Sequence, residues 1–521
     1  MQEFLSLICS RNLVRLQRGA KKFSSLRKKL FDLSCSFERQ KECKNSHILS
    51  TISHLSSLST LALRFSGNEG YEAIASKSLL KCLVSLKNLS SLDLYFAFVK
   101  FQDANIFGRL FKSLRKIPAL TNLSLTFVFC FGLDSLHFSL FSAGLGKLTK
   151  LKTLKLFFGN LNELSDSSIN ILSSSFPKLP LLAKIDLPLQ TNPIQSTTIV
   201  HLFIQFSKFK FLSDIKFNIH RTPILQANDG RDPAAEGLEC LDFALIRRLG
   251  LSLSQDDLEL KILPQVSRVL KRFNTLTTFD MYFDAKRNSH ALELLEFSSS
   301  LCCLTSLTSL KLRFPYGLWS PDFMQKIAVT LESLSNLVQL LLDFGSSSVI
   351  EDSQFQTLFR NLRILKALKY LDLRFGSEGK ITNKSLQILS QSLKELVLLH
   401  DLSFDSASAS LFTNKGIEVL AGAIQSLKDL FGLTLNFGKN FNIDDEAVNA
   451  LVQALKHLSY LFSFKMSISK SPYVTEFQGL IDALLGIKNL REIDLSLPNS
   501  NIRIYDPKCL IETKRIKAMV I

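Results

Sequence analysis

A few short stretches of this 521-residue sequence have residue types that could carry chemistry. Asp343-Phe344-Gly345 spells the tripeptide whose carboxylate holds a metal ion in kinases. A kinase also needs a Gly-rich phosphate loop, a strand lysine and a His-Arg-Asp catalytic loop, and the sequence contains none of them. Gly144-Leu145-Gly146-Lys147 lacks the spacing of a nucleotide phosphate loop and its following Ser or Thr. No Gly-x-Ser-x-Gly elbow occurs. The eight His are dispersed, with no His-Glu-x-x-His pair to ligate zinc. Nine Cys, with Cys302 and Cys303 adjacent and no Cys-x-x-Cys, fit neither a disulfide framework nor a zinc module. They read as reduced cysteines of an intracellular compartment. The carboxylate pairs Asp256-Asp257 and Asp444-Asp445 stand where helices begin, so capping explains them better than acid–base catalysis. The expectation is therefore a protein that is not an enzyme, with no catalytic residues, metal or cofactor.

The elements that must position any site come from one recurring pattern. An apolar residue, two variable ones, an apolar, a variable, an apolar, a variable and usually Phe recur along the chain. The pattern reads Leu58, Leu61, Leu63, Phe65 and returns as Leu89, Leu92, Leu94, Phe96. Taking the second apolar residue as marker, fifteen units run from Leu61 to Ile493 at steps of 29 to 34 residues, most of them 31. Phe462 is taken as the fourteenth marker, with a register slip between Leu458 and Met466. A weaker sixteenth unit lies at Leu30, Leu33, Cys35 and Phe37. The alternating core predicts a short strand with one buried face. The residues that follow shift to helical spacing, as in Ile417-Glu-Val-Leu420 and Ile381–Leu389, with Ser165, Thr382 and Asp444 as N-caps. One strand and one helix per unit make one coil of a solenoid.

On these residues the chain resembles a leucine-rich-repeat protein of the ribonuclease-inhibitor-like subclass, from about Leu30 to Leu497. It is also similar to the Phe-rich leucine-rich-repeat expansions of ciliate-type protists. The resemblance implies an α/β fold: a right-handed solenoid, or horseshoe, of fifteen or sixteen coils with parallel strands concave and helices convex. The family places Asn after the strand, where its side chain caps backbone groups. Here Phe ends the strand in nine of fifteen units, so a spine of packed Phe is expected to replace the asparagine ladder. The organisation expected is a basic helical cap over 1–30, the solenoid over 31–497 and a cap or tail over 498–521. Residues 186–248 are the least regular stretch, holding Pro188, Pro193 and the turn-rich segment Asn228–Gly237.

The formal charge of +17 is carried mostly by the ends, +7 in residues 1–30 and +3 in 498–521. The N-terminal segment reads as a solvated cap face, a contact with acidic surfaces, or a mitochondrial targeting segment. The variable strand positions carry seven bases and seven acids. A groove tracking a phosphate backbone should be lined by one sign, so no nucleic acid is expected on the concave face. No apolar run approaches the ~20 residues of a membrane span, and an intracellular, cytoplasmic protein is expected.

The repeat also disposes of the kinase tripeptide. Arg374-Phe375-Gly376, Phe157-Phe158-Gly159 and Asn436-Phe437-Gly438 occupy the same place in sister coils, so Asp343 is a variable strand residue. The function expected is a protein-interaction scaffold binding a protein partner on the concave face, with Tyr95, Phe157 and Tyr282 as aromatic anchors and Arg313, Arg374 and Asp343 as polar contacts. Two other readings follow from the resemblance: a regulatory GTPase-activator-like or kinase-associated module, and a structural part of a cytoskeletal or ciliary assembly. The polar loop set of the GTPase activators has no match here. Neither does the Leu-Pro opening of an F-box.

Overall fold

A computed structural model describes residues 32–38, 49–67, 77–161, 164–189, 194–218, 224–225, 239–241, 243–255, 262–285, 291–314, 320–345, 352–375, 381–406, 411–438, 442–468, 473–497 and 500–504. Residues 1–30, the loop 228–237 and Asp256-Asp257, singled out from the sequence, lie outside the described residues. The chain divides into two compact units, residues 1–254 and 255–521.

In the first unit the parallel strands run through Thr60–Ser66, Ser91–Ala97, Asn122–Val128 and Thr153–Gly159, and on to Lys184–Pro188 and Asp214–Asn218. Leu61, Leu92, Leu123 and Leu154 stand in register, as the 31-residue spacing requires. In the second unit the register runs Phe279, Leu310, Leu340, Leu371, Leu402, Leu433, Phe464 and Ile493. The marker of the fourteenth coil is thus Phe464, not Phe462. The two lie on the same phase of an alternating pattern, and the pairing of Phe464 with Leu433 decides between them. A final strand, Ser500–Ile504, turns back antiparallel along Glu492–Leu497.

Burial alternates along most strands, so one face packs inward and the other stays open, with Leu341 an apolar exception buried on the open side. The helices lie between successive strands. Their N-caps fall where the sequence put them: Ser165 accepts from the Ser168 N–H, Thr382 from the Lys384 N–H and Asp444 from the Glu446 N–H. Buried hydroxyls in the helices and just after them return their hydrogen bonds to the preceding turn, as Ser300 does to Phe297 at 2.6 Å and Ser175, past its helix end, to Leu172 at 2.7 Å.

The expected Phe spine is present. Phe65, Phe96, Phe127 and Phe158 stack in sequence at 5.4, 5.2 and 5.5 Å between ring centroids, and all are buried. In the second unit Phe344 stacks on Phe375 at 5.0 Å; the next coil has Ser406 at the strand end, and Phe404, from the adjacent inward position, bridges Phe375 to Phe437. Each ring covers the coil below and above it, so the spine joins coils that could not bury an apolar face alone.

Polar ladders join the coils as well, but at the helix starts. Asp352, Asn383, Asn414 and Asp445 are the first residues of four successive helices. Each reaches the next coil: Asp352 accepts from the Thr382 N–H at 2.9 Å, Asn383 from the Thr413 N–H at 2.9 Å, Asn414 from the Asp444 N–H at 3.1 Å and Asp445 from the Thr475 N–H at 2.7 Å. Asparagines at the helix-to-strand turns add a second set, with Asn336 donating to the Thr305 carbonyl at 3.1 Å.

Candidate functional site: the open strand face

The open strand positions form straight rows because the strands are in register. In the first unit one row is Arg64, Tyr95, Thr126 and Phe157. The Arg64 guanidinium lies over the Tyr95 ring, 5.6 Å from its centre, a cation–π contact that leaves both partly exposed. Phe157 folds down over Gly159, and a Cβ at 159 would strike its ring. Both expected anchors are therefore present on the open face, half-buried and supported by a neighbour.

The charges on this unit pair among themselves. Lys184 reaches Asp214 at 2.8 Å, and Arg248 reaches the same carboxylate at 3.7 Å. Lys155 lies 4.0 Å from Asp186. Burial pushes the Asp186 carboxyl above its ordinary range, against the opposing pull of Lys216, Lys155 and Lys184.

In the second unit the row is Tyr282, Arg313, Asp343, Arg374 and Asp405. The structure thus brings together the four expected contacts of this unit. Neither arginine is idle. Arg313 binds Asp280 at 3.1 Å, and Arg374 holds Asp372 through Nη2 at 2.7 Å and Nε at 3.1 Å. The Asp343 carboxylate accepts from the Gly345 N–H at 3.0 Å. Its burial pushes its pKa up, although that hydrogen bond, Arg374 and Arg313 oppose the rise. Asp343 is an ordinary member of the row and Phe344 a spine residue, which removes the kinase reading of this tripeptide. Six of the fourteen charges counted from the sequence thus stand in local ion pairs: Lys155 with Asp186, Arg313 with Asp280 and Arg374 with Asp372.

Sequence reasoning missed a pair of exposed aromatics. Phe98 and Phe129 follow their strands directly and are 55% and 41% exposed. Their rings stack face to face at 5.1 Å with planes 5° apart. Both have left-handed backbones, φ 56° and 51°. Gly67 and Asn160, residue types that tolerate this conformation, occupy the equivalent turns with φ 76° and 53°. The turn is fixed by the ladder: the Gly67, Phe98 and Phe129 N–H groups donate to Ala97, Val128 and Gly159 carbonyls at 2.9, 3.0 and 3.1 Å. A bulky residue there is a backbone outlier, at ~1–2 kcal/mol each. Phe131, 44% exposed, lies beside them. The 31-residue recurrence of Phe one place beyond the strand, in Phe98 and Phe129, carried this signal.

Among the described residues no group of three or more His, Cys, Asp or Glu side chains converges to hold a metal ion. Cys82, Cys130, Cys240, Cys302 and Cys303 are free thiols. Burial pushes Cys82 up to about 12 and Cys130 up to about 11, so neither is a ready nucleophile. No described helix is long and apolar enough to cross a membrane.

In-register parallel strands, each followed by a helix and repeating near 31 residues, define each unit as a leucine-rich-repeat-like α/β solenoid. No protein-family model and no curated protein matches the chain. Among solved structures it is similar to the functional domain of InlJ from Listeria monocytogenes, which includes a cysteine ladder. That similarity has 14% identity and a TM-score of 0.30, and it covers 81% of this chain and 72% of that one.

Proposed function

We propose that the protein is a non-enzymatic interaction scaffold that binds a protein partner on its open strand face. In the first unit Phe98 and Phe129 form the anchor, flanked by Phe131, Tyr95 and Phe157. One observation carries this reading: two exposed, stacked Phe side chains are kept at backbone positions where the neighbouring coils use Gly and Asn. Folding does not favour Phe there, so the rings are better explained by a contact outside the chain. Exposed aromatic anchors are also the residues that dominate protein–protein binding energy. The charge pairing on the same face supports a protein partner, because a charged polymer would meet a neutral mosaic. One strand and one helix in each coil support the ribonuclease-inhibitor-like subclass, and the antiparallel strand Ser500–Ile504 supports a C-terminal cap.

The test is photo-crosslinking from position 131 in source-cell extract, in the native background and in the Phe98→Asn, Phe129→Asn double variant. A discrete protein adduct that weakens at least tenfold in the double variant supports the reading. Adducts that persist unchanged, or that form only from probes placed on the helices, overturn it.

A further inference from the structure

The second unit carries a cavity that the function above does not use. It lies where the helix-to-strand turns of four successive coils enter their strands. Its volume is about 430 Å³, within the range of small-ligand sites, and it is lined by Tyr370, His400, Asp401, Asp429, Phe431 and Tyr460.

The register explains why an opening forms here. The first strand positions of five neighbouring coils are Tyr370, Asp401, Gly432, Ser463 and Glu492. Gly432 is the smallest of the row, and the Asp401 carboxylate lies over it: a Cβ at 432 would collide with that oxygen. The Asp401 carboxylate takes the space that a side chain at 432 would fill, and this places it on the cavity wall. The preceding column supplies His400, which meets Tyr370 edge to face at 6.5 Å. It also supplies Phe431, whose ring stacks on Phe462 at 4.7 Å with planes 6° apart. The backbone of this wall is fixed, since the His400 carbonyl accepts from both the Phe431 and Gly432 N–H groups. Tyr370, Phe431 and Tyr460 are 42%, 48% and 60% exposed, so the rings face solvent across the opening.

Among the described residues, Tyr370, Phe431, Tyr460, two carboxylates and His400 line this space, with no lysine or arginine. Ring faces carry negative potential and attract a cation, while their area favours one with an apolar body. Two carboxylates beside them fix the sign. We infer that this cavity binds an alkylammonium group, the side chain of a lysine or methylated lysine presented by a protein partner. The ligand's attachment to a partner rests on the scaffold reading; binding of the ammonium group itself does not. His400 is the one group on the wall that would oppose a cation if protonated. Burial of Asp401 pushes its pKa up, and a cation seated against it would favour its ionised form.

The test uses the full chain and a free probe. N-acetyl-trimethyllysine amide and N-acetyl-lysine amide are titrated by NMR against a neutral tert-butyl isostere of the first. The expected result is saturable binding of at least one cation, with the isostere at least tenfold weaker. Tyr460→Ala, at a surface ring, should weaken binding about 3- to 30-fold, and Asp429→Asn should weaken it in the same direction. No saturation by either cation, equal binding of the isostere, or binding indifferent to both variants overturns the inference. Crosslinking from position 131 in the first unit is scored separately, so either reading can fail alone.

Discussion

Asn383 holds the next coil of the solenoid by two hydrogen bonds to Thr413: its Oδ1 accepts from the backbone N–H at 2.9 Å, and its Nδ2 donates to the hydroxyl at 3.0 Å. Room for this amide comes from Gly416, where a side chain would collide with Oδ1. The same relationship recurs with a carboxylate in Asp352 to Thr382 and Asp445 to Thr475. Asn383→Ala should cost about 1–3 kcal/mol, because it orphans a partly buried N–H. Asn383→Asp should cost less, since Asp already makes this contact in two sister coils. Urea titration of both variants reads the difference, and equal losses would contradict the account.

The carboxylates of that column also set an acid limit. Burial raises the Asp352 carboxyl, but hydrogen bonds from Ser385, Thr382 and Gln356 outweigh it and hold its pKa below the ordinary value. Asp445 is lowered in the same way by Glu476 and Thr475. A carboxyl depressed in the folded state contributes stability above its unfolded pKa and loses it as pH falls through the folded one. Stability of the native chain should therefore decline below the usual carboxylate range. Asp352→Asn should be less stable at neutral pH and show a shallower acid decline. Thermal melts across acid pH would show this as converging Tm values.

Phe127 sits in the spine against Phe96 and Phe158 and meets Phe141 at 6.3 Å from the helix side. Phe127→Ala should destabilise by about 3–5 kcal/mol, the range for a fully buried aromatic. Phe127→Leu, which keeps volume but not the stack, should fall well short of that. Guanidinium unfolding measures both, and near-equal losses would mean that the column is held by volume alone.

Phe98→Asn should leave stability nearly unchanged, unlike a core substitution. It relieves part of the ~1–2 kcal/mol of left-handed strain and forgoes a stacked pair worth about 0.5–1.5 kcal/mol. Stability should change by less than about 1 kcal/mol while partner crosslinking is lost. A large destabilisation by calorimetry would show that the Phe98–Phe129 stack serves folding.

Arg374→Ala tests the charge mosaic. Its ion pair with Asp372 is about half exposed, and such pairs contribute about 0–1 kcal/mol. The expected stability change lies within that range, and partner binding should respond weakly to salt.

Much of this architecture was legible because the buried strand positions repeat in both type and spacing. Leu61 predicts Leu92, and Phe65 predicts Phe96, before any coordinate is known. The helix-start ladder has the same 31-residue period in Asp352, Asn383, Asn414 and Asp445, yet it escaped. Its members are polar and of two types, and their role depends on a backbone N–H that no sequence displays. Phe462 was misassigned because strand alternation alone does not fix which of two apolar residues is the marker. The candidate site was legible as a face and not as a set of contacts. Which arginine is already paired depends on rotamers, and the cavity beside Asp401 depends on side chains from four coils.

The near-constant distance along the chain between contacting coils bears on how the protein is made. At about 5–20 residues per second, a ribosome releases one 31-residue coil in roughly 2–6 s. Each emerging coil finds its hydrogen-bonding partner already folded one step earlier, whether Thr413 meeting Asn383 or Phe127 meeting Phe96. Assembly within a unit can thus proceed during translation, with about one coil of unprotected chain at any moment.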